Sequence, residues 1–195
     1  MKSFIFAFIL GASSQGLAQS LSDVQGSFPA TFHVETATGP ARITVTCKVQ
    51  MQILDTVEQF KYKTSEFNCE DAGSWADAQT LFKKDGVLYD RTGVAVGNLY
   101  EGGTVQFPAY ASSTFNYNEK AFDKNCKVIG ESKRSIQLMR SVVYAFQPTA
   151  NGWKILGDVT IEKVIAKKPA SSCPGAEAWG KTEDTGRFSG NLIKN

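Results

Sequence analysis

Arg42–Ile53 alternates without a break. Ile43, Val45, Cys47, Val49, Met51 and Ile53 hold the odd positions, and Arg42, Thr44, Thr46, Lys48, Gln50 and Gln52 hold the even ones. A period of two sends these sets to opposite faces of a pleated strand, so the segment predicts a long strand with one dry and one wet side. Ser27–Val34 repeats the pattern, with Phe28, Ala30, Phe32 and Val34 on one face and His33 on the other. In Gln59–Cys69, Phe60 and Tyr62 share one phase, while Phe67 and Cys69 share the opposite one. One extra residue near Thr64–Glu66 reconciles the two phases, which is the mark of a β-bulge.

The longest two-faced pair comes late. Ile136, Leu138, Arg140, Val142, Tyr144 and Phe146 share a face, and after Gln147–Gly152 so do Trp153, Ile155, Gly157, Val159 and Ile161. A tight turn there, with Asn151-Gly152 supplying turn chemistry, pairs Phe146 with Trp153 and sets Arg140 opposite Val159. Between the long segments lie shorter ones punctuated by Asp85-Gly86, Arg91–Gly93 and Glu101–Gly103, and Pro108 marks a strand end or an edge. Two short helices are expected. Ser74 with Asp77 resembles a capping box ahead of Ala78 and Leu81, and Asn118 precedes a second at Glu119–Asn125.

The pattern gives roughly ten strands with mostly short connections. It predicts an all-β antiparallel meander forming a barrel or strongly curved sheet, with a β-sandwich as the alternative. Residues 19–166 make a single β-rich domain. Residues 167–195, rich in Gly, Ser and Pro, read as an irregular C-terminal tail anchored by Cys173 and Trp179.

The N-terminus changes the expected compartment. Lys2, the apolar run Phe4–Ala12 and the small residues Gly16–Ala18 follow the order of a signal peptide, cleaved after Ala18. A secreted or periplasmic location follows, with no transmembrane helix in the mature chain. Removing residues 1–18 leaves 177 residues, carrying 20 Lys and Arg against 19 Asp and Glu. A nucleic-acid partner would need a basic footprint that this balance does not supply.

The cysteines Cys47, Cys69, Cys126 and Cys173 fit two disulfides in an oxidising compartment. A tight turn at Asp55-Thr56 leaves Cys69 opposite Ile43, about 13 Å along the strand from Cys47. A looser loop centred near Glu58 brings Cys47 opposite Cys69. The favoured pairing is Cys47–Cys69 with Cys126–Cys173, the second tying the tail to the body.

Enzyme templates find little support. The single histidine, His33, sits on a wet face away from any nucleophile elbow. Glu70, Asp71, Asp77, Asp85 and Asp90 lie in turn-like stretches, where carboxylates bond their own backbone. Gly93, Gly97, Gly102 and Gly103 lack the strand–loop–helix context of a phosphate loop. Neither a metal cage nor a cofactor is called for. Arg140 stands apart because unbroken alternation sends its guanidinium inward beside Leu138, Val142, Tyr144 and Trp153. An inward charge needs a partner or a ligand anion, unless a bulge at Met139–Ser141 turns it outward. Arg140, Tyr144 and Trp153 are therefore the expected ligand-binding residues.

In architecture, a small exported meander with a cysteine-stapled tail resembles the lipocalin and calycin ligand-binding barrels. Gly26-Ser27-Phe28 keeps the glycine and an aromatic of their Gly-x-Trp signature without the tryptophan. The resemblance implies a barrel holding a small apolar or amphipathic molecule. Two other readings compete with it: a protein or glycan interaction module with a packed core, and an outer-membrane barrel whose apolar face meets lipid.

Overall fold

Each two-faced segment becomes a strand in the computed structural model, which describes residues 21–36, 38–168 and 172–195. The leader expected over residues 1–18 lies outside the described residues. The strands are β1 (Ser22–Thr36), β2 (Gly39–Asp55), β3 (Gln59–Cys69), β4 (Gly73–Trp75), β5 (Ala78–Lys84), β6 (Val87–Tyr89), β7 (Ala95–Leu99), β8 (Val105–Phe122), β9 (Val128–Thr149), β10 (Gly152–Lys167) and β11 (Ala178–Lys194). Each pairs antiparallel with its neighbours, β1 lies beside β11, and β2–β3 pairing closes the ring. Because β4 and β5 lie end to end along one side of β3, the eleven strands fill ten places around that ring. A lipocalin barrel has eight.

The dry faces point into the ring. Phe28, Phe32, Val49, Met51, Phe60, Tyr62, Phe67, Phe107, Tyr144, Phe146 and Ile155 are all buried there. Phe60 sits centrally in the lower interior, its ring centroid 5.3 to 6.3 Å from those of Tyr62, Phe107, Phe146 and Trp153. Outward positions such as Lys48, Gln50 and Lys63 are polar and exposed. A lipid-facing barrel needs the reverse arrangement, an apolar band outside.

Local chemistry sets the turns. Asp85 and Gly86 both have positive φ (51° and 78°), the backbone of a two-residue hairpin turn matched to strand twist. The bulge in β3 falls at Ser65, since Gln50 pairs with Glu66 and Met51 with Thr64. That extra residue brings Cys47 opposite Cys69, and the disulfides are Cys47–Cys69 and Cys126–Cys173.

Three expectations are corrected. The β9–β10 turn is Ala150-Asn151, with Thr149 paired to Gly152, so Trp153 faces Pro148 and Arg140 faces Ile161. The register therefore moves by two residues, which leaves every inward side chain inward. Neither short helix forms. Ser74 and Trp75 belong to β4, where Trp75 stacks on Phe67 at 4.1 Å. Asn118–Phe122 ends β8, and the Asp123 carboxylate accepts the N–H groups of Asn125 and Lys127 to close the following turn. One-turn helices depend on tertiary contacts, and here those contacts favour strands.

The third correction concerns the tail. Ala178–Lys194 is not irregular but is β11, between β1 and β10. Its glycines leave room for rings from the neighbouring strand: a Cβ on Gly186 would lie 2.3 Å from Phe32 Cδ1, and one on Gly190 2.1 Å from Phe28 Cδ1. Such glycines mark the close approach of a side chain, not a loop.

At one end the strands outrun the barrel. Pairing of β9 with β10 stops at Arg140–Ile161. Beyond it β8 and β9 continue as one two-stranded ribbon, and β10 and β11 as another. The Cys126–Cys173 disulfide links the turn that ends the first ribbon to the loop that ends the second.

Candidate functional site

Two irregularities face each other across the β3 edge. Opposite the bulge at Ser65, the partner strand breaks at Ala76-Asp77, and the Thr64 N–H donates to the Asp77 carbonyl at 2.8 Å. The break turns the Asp77 carboxylate inward. Its Oδ1 accepts from the Thr64 hydroxyl (3.1 Å) and its Oδ2 from the Tyr144 hydroxyl (3.3 Å). The Trp75 indole N–H donates to that same tyrosine oxygen at 3.1 Å.

Arg140 completes the cluster. Its strand keeps register with both neighbours, pairing with Ala111 and Ile161, so the alternation is unbroken and the guanidinium enters the interior. Its Cζ lies 4.9 Å from the Trp75 ring centroid, within cation–π range. Burial lowers the Arg140 pKa below its usual value, while the charges of Tyr144, Asp77 and Tyr62 oppose that effect. Burial also raises the Asp77 pKa against the pull of Thr64, Arg140 and the two tyrosines. Both tyrosines, Tyr62 and Tyr144, are pushed well above the ordinary phenol range, chiefly by desolvation.

Three buried atoms of this region make no hydrogen bond of good geometry: Gln79 Oε1, Arg140 Nη1 and Tyr62 OH, the last lying close enough to the Asp77 carboxylate to oppose the rise in its pKa. Tyr62 and Gln79 are opposite each other on β3 and β5. Buried polar groups are usually paired, so three such atoms around one cluster mark a place where a further hydrogen-bonding group fits.

A groove lies on the flank of this cluster. The β6–β7 hairpin is short: β5 pairs with β6 over Phe82–Lys84 only, and β7 with β8 over Val105–Gln106 only. Past it, the facing edges of β5 and β8 have no strand between them among the described residues. A groove of about 730 Å³ opens there. Its apolar walls include Leu21, Ala78, Leu81, Val96, Pro108 and Tyr110, and it reaches Tyr62 and Gln79. The exposed turn Asp90–Thr92 lies at its rim, held by Asp90 Oδ1 accepting from the backbone N–H groups of Thr92 and Val94 and from the Thr92 hydroxyl.

The structure brings together two of the three expected site residues. Arg140 and Tyr144 meet in the cluster, whereas Trp153 packs at the other end of the interior against Phe60. Asp90 behaves as the turn acid expected; Asp77 does not, being largely removed from water. Asp77, Trp75 and Gln79 were not recognisable as a site from sequence, because a strand break at Ala76-Asp77 has no period-two signature. His33 is exposed on the outer face. No family model, curated protein or solved structure matches this chain.

The cluster has a pH signature. Below the ordinary Asp value of 3.8 both folded and unfolded chains carry a proton on Asp77, and the group contributes no pH dependence. As pH rises, the unfolded chain ionises first, and stability falls until the raised folded pKa is passed. Asp77→Asn is therefore expected to flatten the dependence of unfolding free energy on pH above 3.8, measured by urea denaturation at several pH values. An unchanged slope would show that Asp77 ionises in the folded chain as freely as in the unfolded one.

Proposed function

We propose that the protein binds a small amphipathic molecule in the groove between β5 and β8. The observation that carries this reading is the coincidence of an apolar groove of about 730 Å³ with two lining residues, Tyr62 and Gln79, whose buried oxygens make no hydrogen bond of good geometry. Small-molecule sites have this composition: apolar walls and a few polar groups that fix orientation. The aromatic rings around Phe60 occupy the lower interior, so the ligand enters from the side of the barrel and not into a central cavity.

In this reading the apolar part of the ligand lies along Leu81, Val96 and Tyr110. A hydroxyl or amide group accepts from Tyr62 OH and donates to Gln79 Oε1, with Arg140 Nη1 behind them. Tyr144 holds Asp77 and so positions the cluster, and Trp153 serves packing. Two disulfides suit an oxidising compartment, in keeping with export by the leader read from residues 1–18. No described helix is long and apolar enough to cross a membrane.

The test is titration calorimetry with decyl maltoside below its micelle concentration, alongside native mass spectrometry of the purified chain. One-to-one binding is expected. Ala78→Trp, at an exposed lining position, is expected to weaken it at least tenfold without moving the unfolding midpoint. Absence of binding, or binding indifferent to Ala78→Trp, would refute the reading.

A further inference from the structure

The ribbon of β8 and β9 ends in a tip that the core does not use. From the Ala111–Arg140 pair to the Phe122–Val128 pair the ribbon runs about 36 Å along β8, and no residue of either strand past Arg140 is buried. Its last stretch of pairing is irregular. Ala121 pairs with Gly130 and Phe122 with Val128, so Ile129 is an extra residue, a β-bulge. Bulges re-aim the side chains around them. Here Val128 and Ile129 are turned to solvent, 47% and 65% exposed, next to a half-buried Phe122.

Cations gather around these aliphatic side chains. Lys120, Lys124 and Lys127 belong to the same tip. The Cys126–Cys173 disulfide brings up the end of the second ribbon, where Lys167 and Lys168 lie. All five lysines are exposed. Against them stand Glu177 and Asp123, and the Asp123 carboxylate is already engaged by the N–H groups of its own turn. The two ribbon ends therefore carry a surplus of three positive charges, in a chain whose residues 19–195 have a surplus of one.

We infer that this tip docks on a bilayer rich in anionic phospholipid, with Val128 and Ile129 entering the interface and the lysines meeting the headgroups. The combination of side chains selects that partner. A soluble polyanion answers the lysines and leaves the aliphatic side chains in water. A purely apolar surface answers Val128 and Ile129 and strands the lysines. An anionic bilayer presents both, charge at the headgroups over hydrocarbon beneath, and a fluid surface needs no pocket shaped to a narrow tip. Interfacial binding grows with the apolar area buried and with the attraction of lysines to anionic lipid. None of these residues lines the groove between β5 and β8, so the inference stands apart from the ligand reading.

The full chain is tested by co-sedimentation with vesicles of equimolar phosphatidylglycerol and phosphatidylcholine, with vesicles of phosphatidylcholine alone, and by retention on immobilised heparin. Binding to the anionic vesicles is expected, falling as salt is raised and absent on phosphatidylcholine. Lys124→Ser with Lys127→Ser is expected to weaken it about tenfold or more. Val128→Ser with Ile129→Ser leaves the charge unchanged and is expected to weaken vesicle binding by about tenfold while heparin retention stays as it was. All four positions are exposed, and far-ultraviolet circular dichroism checks that both variants fold. Failure to bind anionic vesicles, or equal binding to phosphatidylcholine alone, would overturn the inference. So would vesicle binding indifferent to the Val128/Ile129 variant, since the lysines would then serve a soluble polyanion.

Discussion

Phe60→Ala is expected to lower the free energy of unfolding by about 3–5 kcal/mol, the range for deleting a buried phenyl ring. Phe60 is fully buried and meets four other aromatic side chains. Those rings come from β3, β8, β9 and β10, so the ring closes the interior between opposite walls of the barrel. Rigid rings cannot collapse into the space that an alanine leaves, and the penalty should fall in the upper part of the range. Urea denaturation at neutral pH measures it, with Val57→Ala as control. Val57 is 93% exposed in the turn before β3, and its truncation is expected to change stability by less than about 0.5 kcal/mol. A loss below about 1 kcal/mol for Phe60→Ala would mean that the interior is not packed as a continuous aromatic cluster.

How far this barrel could be read from its sequence depends on what alternation encodes. Alternation reports faces, and it placed Phe28, Val49, Tyr62, Tyr144 and Ile155 correctly because water and core differ across every strand. It does not report register. Phe146 was expected opposite Trp153 but pairs with Ile155, because turn length is independent of the face pattern. The error had little consequence, since a shift by two conserves the faces. The bulge at Ser65 was legible because it inverts the phase of β3.

In β11 the pattern failed for a different reason. Gly186 and Gly190 hold core positions, where the apolar matter comes from Phe32 and Phe28 of β1. A hydrophobic pattern read along one strand cannot see a ring supplied by its neighbour. The polar cluster was half legible. Arg140 announced itself as a charge in an apolar phase, and the unbroken register of β9 turns it inward. Its partners come from the break at Ala76-Asp77, whose residues resemble a helix cap in isolation. The groove was invisible, because it exists where the β6–β7 hairpin stops short of its neighbours.

Replacing Cys47 and Cys69 together by alanine is expected to cost about 3–4 kcal/mol. The bond closes a 22-residue loop, and the chain-entropy argument assigns roughly 3.4 kcal/mol to a loop of that length. Loss of the buried sulfurs adds to this figure, because both side chains are essentially inaccessible, next to Phe67 and the β3 bulge. The Cys126–Cys173 bond closes a longer loop of 47 residues, for which the same argument gives roughly 4 kcal/mol. Its location alters the outcome. It joins two ribbons beyond the point where β9 and β10 separate, so removing it frees segments that already lie outside the main core. Loop entropy counts in full only if ribbons and barrel unfold together. Two double-alanine variants, unfolded in urea side by side, decide the matter. A loss for Cys126/Cys173 far below roughly 4 kcal/mol means that the ribbons melt separately from the barrel. A loss near roughly 4 kcal/mol means one cooperative unit, in which the outer bond restrains the whole chain.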